Sequence, residues 1–283
     1  MKNKTLKFSV KDHAVSGETF QLHWNDTWDW LETIPRPSED DMHRYYESED
    51  YISHSDTKRN LFEKAYHRVR EINLRRKLKL INKYQPRSKR LLDFGCGTGD
   101  FLRTAQNNGW TITGIEPNSM ARDIGNSKTN KNIFTPEKLD SFAKASFDVI
   151  TLWHVLEHLH DPLEKLKRFH NLLDDGGTLI LAVPNHNSFD ATYYGTNWAG
   201  YDVPRHLWHF SKNAIKKMAN ASEFQLREIL PMQFDAYYVS LLSEKYKSGW
   251  LNVFSAFFIA SRSNLKASRT GEYSSLIYVL QKA

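Results

Sequence analysis

Between residues 90 and 185 the chain alternates short apolar runs with stretches of helical spacing, and this alternation limits the fold more than any other feature. "RLLDF", "WTITGIE", "NIFTP", "FDVITLW" and "TLILAVP" read as strands, and residues 100–107, 118–126 and 162–172 read as the helices between them, with stops at Gly109 and at "DDGG". Strands separated by single helices pair in parallel through right-handed crossovers. The pattern predicts an α/β fold: a doubly wound, mostly parallel, Rossmann-like sheet with helices on both faces. Ligands of such sheets bind at the carboxyl ends of the strands.

At the first of those ends stands "LLDFGCGTGDF", residues 91–101, with glycine at 95, 97 and 99. A P-loop would need Gly-Lys-Ser/Thr, which does not follow. A dinucleotide fingerprint would need a third glycine where Asp100 stands, and an acid at that helix N-terminus repels a pyrophosphate. Asp93 precedes the glycines, and Glu116 ends the next strand, 21 residues beyond Gly95, where an acid accepts ribose hydroxyls. A nucleoside without phosphate, joined to a cationic group, fits these residues.

The same stretches resemble class I S-adenosylmethionine-dependent methyltransferases: "LLDFGCGTGDF", "GIEPN", "FDVITLWHVLEHLHDP" and "LDDGGTLILAVPN" occur in the family's order, and "PRHLWHFS" at 204–211 resembles a broad group within it. The resemblance covers roughly residues 45–283 and implies a seven-stranded sheet, with "FQLREILPM" and "SSLIYVLQKA" as antiparallel final strands. It also implies S-adenosylmethionine as cofactor and S-adenosylhomocysteine as product. Gly95, Gly97 and Gly99, with Cys96 and Phe101 of the same motif, would lie along the methionine part, and Asp93 would fix local hydrogen bonds. Glu116 would take the ribose hydroxyls, and Pro117 and Leu139 would line the adenine. Trp153 and His154 would close over the methionyl chain, and Tyr51 and His54 would help to lid the cofactor.

Methyl transfer from a sulfonium is an in-line displacement in which positioning and desolvation supply much of the rate, and a hydroxyl acceptor also needs a base. The candidates are His154 and His158, with Glu157 between them, and His206 and His209 after Arg205. On a helix, residues 154, 157 and 158 would share a face, which makes His158 the first choice. A purely structural His158 remains open. So does a divalent ion on Glu157, His158 and either His206 or His209, although no metal is assigned.

The flanking segments are less regular. Residues 1–57 form an N-terminal extension, and residues 58–283 form the methyltransferase domain, with aromatic-rich insertions at about 185–211 and 235–273 expected to wall a substrate pocket. Relatives often begin with a cysteine-bearing zinc ribbon. Here Asn25 and Trp28 stand at the cysteine positions, so no structural zinc is expected, even with His23 and Asp26 nearby.

Charge divides sharply: residues 1–57 hold 6 Lys and Arg against 12 Asp and Glu, whereas residues 58–90 hold 13 against 2. The basic block reads as one or two amphipathic helices. A single cysteine excludes an internal disulfide, the N-terminus shows no leader, and the apolar run at 251–260 is too short to cross a bilayer. The expectation is a cytoplasmic methyltransferase, without a membrane partner, acting on an oxygen or nitrogen of a small molecule or glycan precursor. The alternatives are an RNA methyltransferase using residues 58–90 and a non-catalytic cofactor-binding regulator. The sequence leaves the oligomeric state open.

Overall fold

A computed structural model describes residues 4–46, 61–84 and 88–282. Tyr51 and His54 lie outside the described residues. The central sheet has seven strands in the order β10-β11-β8-β7-β4-β5-β6. Its parallel part comprises β4 (Arg90–Phe94), β5 (Thr111–Ile115), β6 (Ile133–Phe134), β7 (Phe147–Trp153) and β8 (Leu173–Pro184). The final strands, β10 (Phe224–Pro231) and β11 (Ser275–Lys282), are antiparallel, as the family resemblance implied. Leu91, Leu92, Val149, Ile150, Leu179, Ile180 and Leu181 are fully buried, as strands covered on both faces require.

The connecting helices are α2 (Asp100–Gln106), α3 (Ser119–Lys128) and α4 (Pro162–Leu172), within two residues of the expected bounds. The "DDGG" stretch ends α4 and is itself the start of β8 rather than a loop. The basic block forms a single helix, α1 (Leu61–Lys83), which packs on α2 through Leu74, Leu78 and Ile81.

The N-terminal extension does not stand apart. Strands β1 (Lys4–Lys11), β2 (Thr19–Asn25) and β3 (Trp30–Ile34) form an antiparallel meander that continues onto β9 (Trp208–Phe210) of the first insertion. A buried ion pair reinforces this join: the Arg205 guanidinium donates to Asp12 Oδ1 at 3.0 Å, to Asp202 Oδ1 at 2.7 Å and to the Tyr45 carbonyl at 2.9 Å. Asn25 and Trp28 serve the sheet directly. Asn25 Oδ1 accepts from the Thr27 and Trp28 amides to close the β2–β3 turn, and Trp28 stacks on Trp30.

The first insertion adds α5 (Phe189–Tyr194) ahead of β9, and α6 (Lys212–Ala221) follows that strand. The second folds as a helical pair, α7 (Asp235–Ser248) and α8 (Val253–Thr270). Their aromatic residues divide into two sets. Tyr194, Trp198 and Tyr201 pack under the N-terminal sheet against Phe20 and Leu31, whereas Phe254, Phe257 and Phe258 lie on the exposed face of α8. No helix among the described residues is long and apolar enough to cross a membrane.

Candidate functional site

The three glycines of the β4–α2 loop have different causes. A Cβ on Gly95 would stand 2.4 Å from Val155 Cγ2, and one on Gly99 would stand 2.9 Å from Ile133 Cδ1 and 3.1 Å from Gly125 Cα. These two are small because the chain's own elements press on them. Gly97 differs: at φ +53° its Cβ would enter open space. Only Gly97 of the three leaves open space on that side, whereas the sequence suggested a close ligand approach at all three.

Glu116, at the end of β5, faces that opening. Its Oε2 accepts from the Gly97 amide at 2.8 Å and its Oε1 from the Asn118 amide at 2.9 Å. Burial raises the Glu116 pKa, and the two amides oppose the shift. Each oxygen keeps a lone pair for a diol hydroxyl. Pro117 beside it is exposed. Asp93 is buried and accepts from Thr151 Oγ1 at 2.6 Å, and burial lifts its pKa to about 6 despite that bond.

Lys77, on α1, completes this end of the site, and sequence reasoning passed over it as one basic residue among many. Its ammonium lies 4.3 Å from the Trp153 ring centroid and is attracted by Asp93 and Asp235, yet burial pulls its pKa down to about 8. The only hint in the sequence was its place on the apolar side of an otherwise basic helix.

Phe101 and Leu139 are both buried in the core. Phe101 sits with Leu91, Leu102 and Trp110, its ring edge-on to Trp153, and Leu139 is enclosed by the main cluster. Cys96, in the same loop, is half-buried, and burial drives its thiol pKa well up, which disfavours the thiolate.

Beyond β7 the expected helix is absent. His154 adopts φ +58°, and residues Leu156–His158 form one 3-10 turn, so His154 and His158 diverge instead of sharing a face. His154 lies between two carboxylates, with Nδ1 3.4 Å from Glu157 Oε1 and Nε2 3.5 Å from Asp235 Oδ2. Its buried Nε2 has no hydrogen-bond partner, and although burial disfavours its charged form, Asp235 and Glu157 raise its pKa overall.

His158 faces the other way. Its Nδ1 lies 3.0 Å from the Arg205 carbonyl and 3.1 Å from Tyr46 Oη, and its ring meets His206 edge-on at 4.6 Å. Burial and His206 pull its pKa down to about 4, which makes it a weak base. His209 is buried, with its Nε2 3.0 Å from Thr33 Oγ1, and that hydroxyl donates to the His206 carbonyl. His209 therefore serves the β3–β9 join.

Several of the described bases of the 58–90 block are engaged within the fold. Arg70 pairs with Asp100, Lys83 with Glu228, and Arg90 with Asp148 and Asp174; Arg76 lies over Phe234. Arg68 and Arg75 stay largely exposed, each beside Glu71.

A family model described as a methyltransferase domain matches residues 65–229, more than half of the chain. The chain belongs to this family. Among curated proteins, a ubiquinone biosynthesis O-methyltransferase of Pseudomonas aeruginosa (strain LESB58) is 32% identical over 107 residues, covering 35% of this chain and 46% of that protein. One of the same description from Nitrosospira multiformis is 24% identical, covering 52% of this chain and 67% of the relative. The chain thus spans about half the length of the first of these relatives. Among solved structures, a SAM-dependent methyltransferase from Archaeoglobus fulgidus superposes with a TM-score of 0.54 at 20% identity, covering 78% of this chain and 98% of that one. A Haemonchus contortus phosphoethanolamine-type N-methyltransferase bound to S-adenosylhomocysteine gives 0.51 at 15%, covering 74% and 52%. These likenesses establish the Rossmann-like fold.

Proposed function

We propose that this protein transfers a methyl group from S-adenosylmethionine to a hydroxyl of a small molecule, with a glycan precursor among the candidates. The observation that carries the reading is the pairing of Glu116 with the open face of Gly97, which offers a buried, oriented carboxylate beside bare backbone. The donor, when bound, supplies an electrophilic methyl on a sulfonium. Glu116 holds the ribose hydroxyls. Lys77 meets the methionine carboxylate, Asp93 orders the loop beneath it, and Trp153 walls the methionyl end.

His154 Nε2 is the base for the acceptor proton. It is buried and unpartnered, it sits at the carboxyl end of β7 next to the glycine loop, and Asp235 stabilises the charge it acquires. This replaces His158, whose ring turns away to meet His206 and whose pKa burial pulls down to about 4.

The RNA reading loses support from the internal pairing of Arg70, Lys83 and Arg90. Screening metabolite and glycan-precursor pools with a methyl-labelled donor tests the proposal. Label in a hydroxyl-bearing small molecule is the expected result. Label only in RNA, or cofactor binding without turnover on any acceptor, would overturn it.

A further inference from the structure

Three ligand-type side chains converge just beyond β7 from two distant parts of the sequence. Glu157, His158 and His206 each offer one oxygen or nitrogen within 4.8 Å of the others. Glu157 is fully buried, and neither of its carboxylate oxygens has a hydrogen-bond partner. His154 Nδ1 at 3.4 Å and His206 Nε2 at 4.0 Å lie close to Glu157 Oε1 without forming a hydrogen bond, so this buried carboxylate is under-compensated and a cation beside it would be favoured.

Both histidines are prepared as ligands by the backbone. A carbonyl oxygen can only accept, so the 2.9 Å contact of His206 Nδ1 with the Gly200 carbonyl puts the hydrogen on Nδ1 and leaves a lone pair on Nε2. The 3.0 Å contact of His158 Nδ1 with the Arg205 carbonyl does the same, with Tyr46 Oη beside that donor. A ring N–H held by a carbonyl is the usual outer support of a metal-bound imidazole. The backbone fixes the arrangement further, since the Leu207 amide donates to the Glu157 carbonyl at 2.8 Å.

We propose that Glu157, His158 and His206 form a divalent metal site, for an ion of the zinc, manganese or ferrous type. Two imidazoles and one carboxylate suit these ions and leave coordination positions open. Ligands about 2.0–2.2 Å from one ion stand roughly 3–4 Å apart, so the trio, whose atoms lie within 4.8 Å of one another, needs to close by up to about 1–2 Å. His209, the alternative that the sequence left open, is not part of this cluster.

His154 adjoins the trio, with its Nδ1 3.4 Å from Glu157 Oε1. There the ion would receive an oxygen of the acceptor and ease loss of its proton. That role rests on the methyl-transfer reading, whereas the site itself does not.

The test uses Co2+ as a coloured probe on metal-free full-length protein, with neither cofactor nor acceptor present. Visible absorption should develop to one equivalent, with competition by Zn2+. Glu157→Gln and His206→Ala should each weaken binding by at least about 100-fold, whereas His209→Gln should leave it unchanged. Circular dichroism of each variant confirms folding, and Glu157→Gln preserves shape if His206→Ala does not fold. No cobalt band, or a band that persists in folded Glu157→Gln, would overturn the site. S-adenosylhomocysteine calorimetry on the same samples reports separately on the methyl-transfer reading.

Discussion

Glu116 Oε2 accepts the Gly97 amide at 2.8 Å, so the acid that follows β5 and the one glycine of the β4–α2 loop that opens to space form a single rigid element. Glu116→Ala should therefore weaken S-adenosylhomocysteine binding by more than ~1.5 kcal/mol, since charge-assisted hydrogen bonds are lost from a buried position. Isothermal calorimetry checks this, and unchanged affinity would remove Glu116 from the site.

Gly95 and Gly97 should respond in opposite ways to an added side chain. Gly95→Ala drives a Cβ into Val155 at 2.4 Å, so it should lower the melting temperature by several degrees. Gly97→Val meets no protein atom, so it should fold with a smaller loss, attributable to its positive φ, while cofactor binding disappears. If Gly97→Val binds normally, the loop is only a turn.

Lys77 gives a pH signature in the ligand-free protein. Its folded pKa is lowered from 10.5 to about 8 by burial, so between these values the unfolded chain binds more protons than the folded one. Stability relative to Lys77→Met should therefore rise with pH from about 8 to 10.5 and be flat below. Chemical denaturation of both proteins across this range checks the sign; a falling difference would mean that the ammonium is stabilised by Asp93 and Asp235 more than it is penalised.

The legible part of the molecule is the part governed by local periodicity. β7 and α4 match their expected bounds because an apolar run bounded by turns, and a helix opened by Pro162, are each settled by neighbours in sequence. The site was legible only as far as its motif reached. Glu116 could be found by its distance from Gly95, but Lys77 acts through the packing of α1 on α2, which no spacing encodes. The histidines misled for a related reason. Helical spacing was assumed at residues 154–158, whereas the positive φ of His154 turns the chain and sends His158 to meet His206.

Arg205 is the clearest case of long-range structure invisible in the sequence, since it joins Asp12 of β1's end to the segment carrying His206. Arg205→Met should cost about 3–5 kcal/mol, because Asp12 and Asp202 lose their shared buried cation, whereas Asp12→Asn should cost less, because Arg205 keeps Asp202. Limited proteolysis should then cut within residues 4–46 well before the central sheet unfolds. A variant as stable as the wild type would mean that the N-terminal sheet is held by its hydrophobic contacts alone.

Catalysis separates the two histidines of "WHVLEH". His154 Nε2 is unpartnered and flanked by Asp235, whereas His158 Nδ1 is committed to the Arg205 carbonyl. Loss of a general base costs ~100- to 10,000-fold, so His154→Asn should lower kcat by that order with S-adenosylhomocysteine affinity nearly unchanged. Asp235→Asn should lower kcat less, because it removes only the group that stabilises the charged imidazole. His158→Asn should instead respond to metal: if it binds an ion that holds the acceptor, its loss raises KM for the acceptor, and excess divalent ion partly restores activity. Steady-state kinetics on the three variants, with the acceptor found by label transfer, distinguishes these roles. A full rate in folded His154→Asn would rule out His154 as the base.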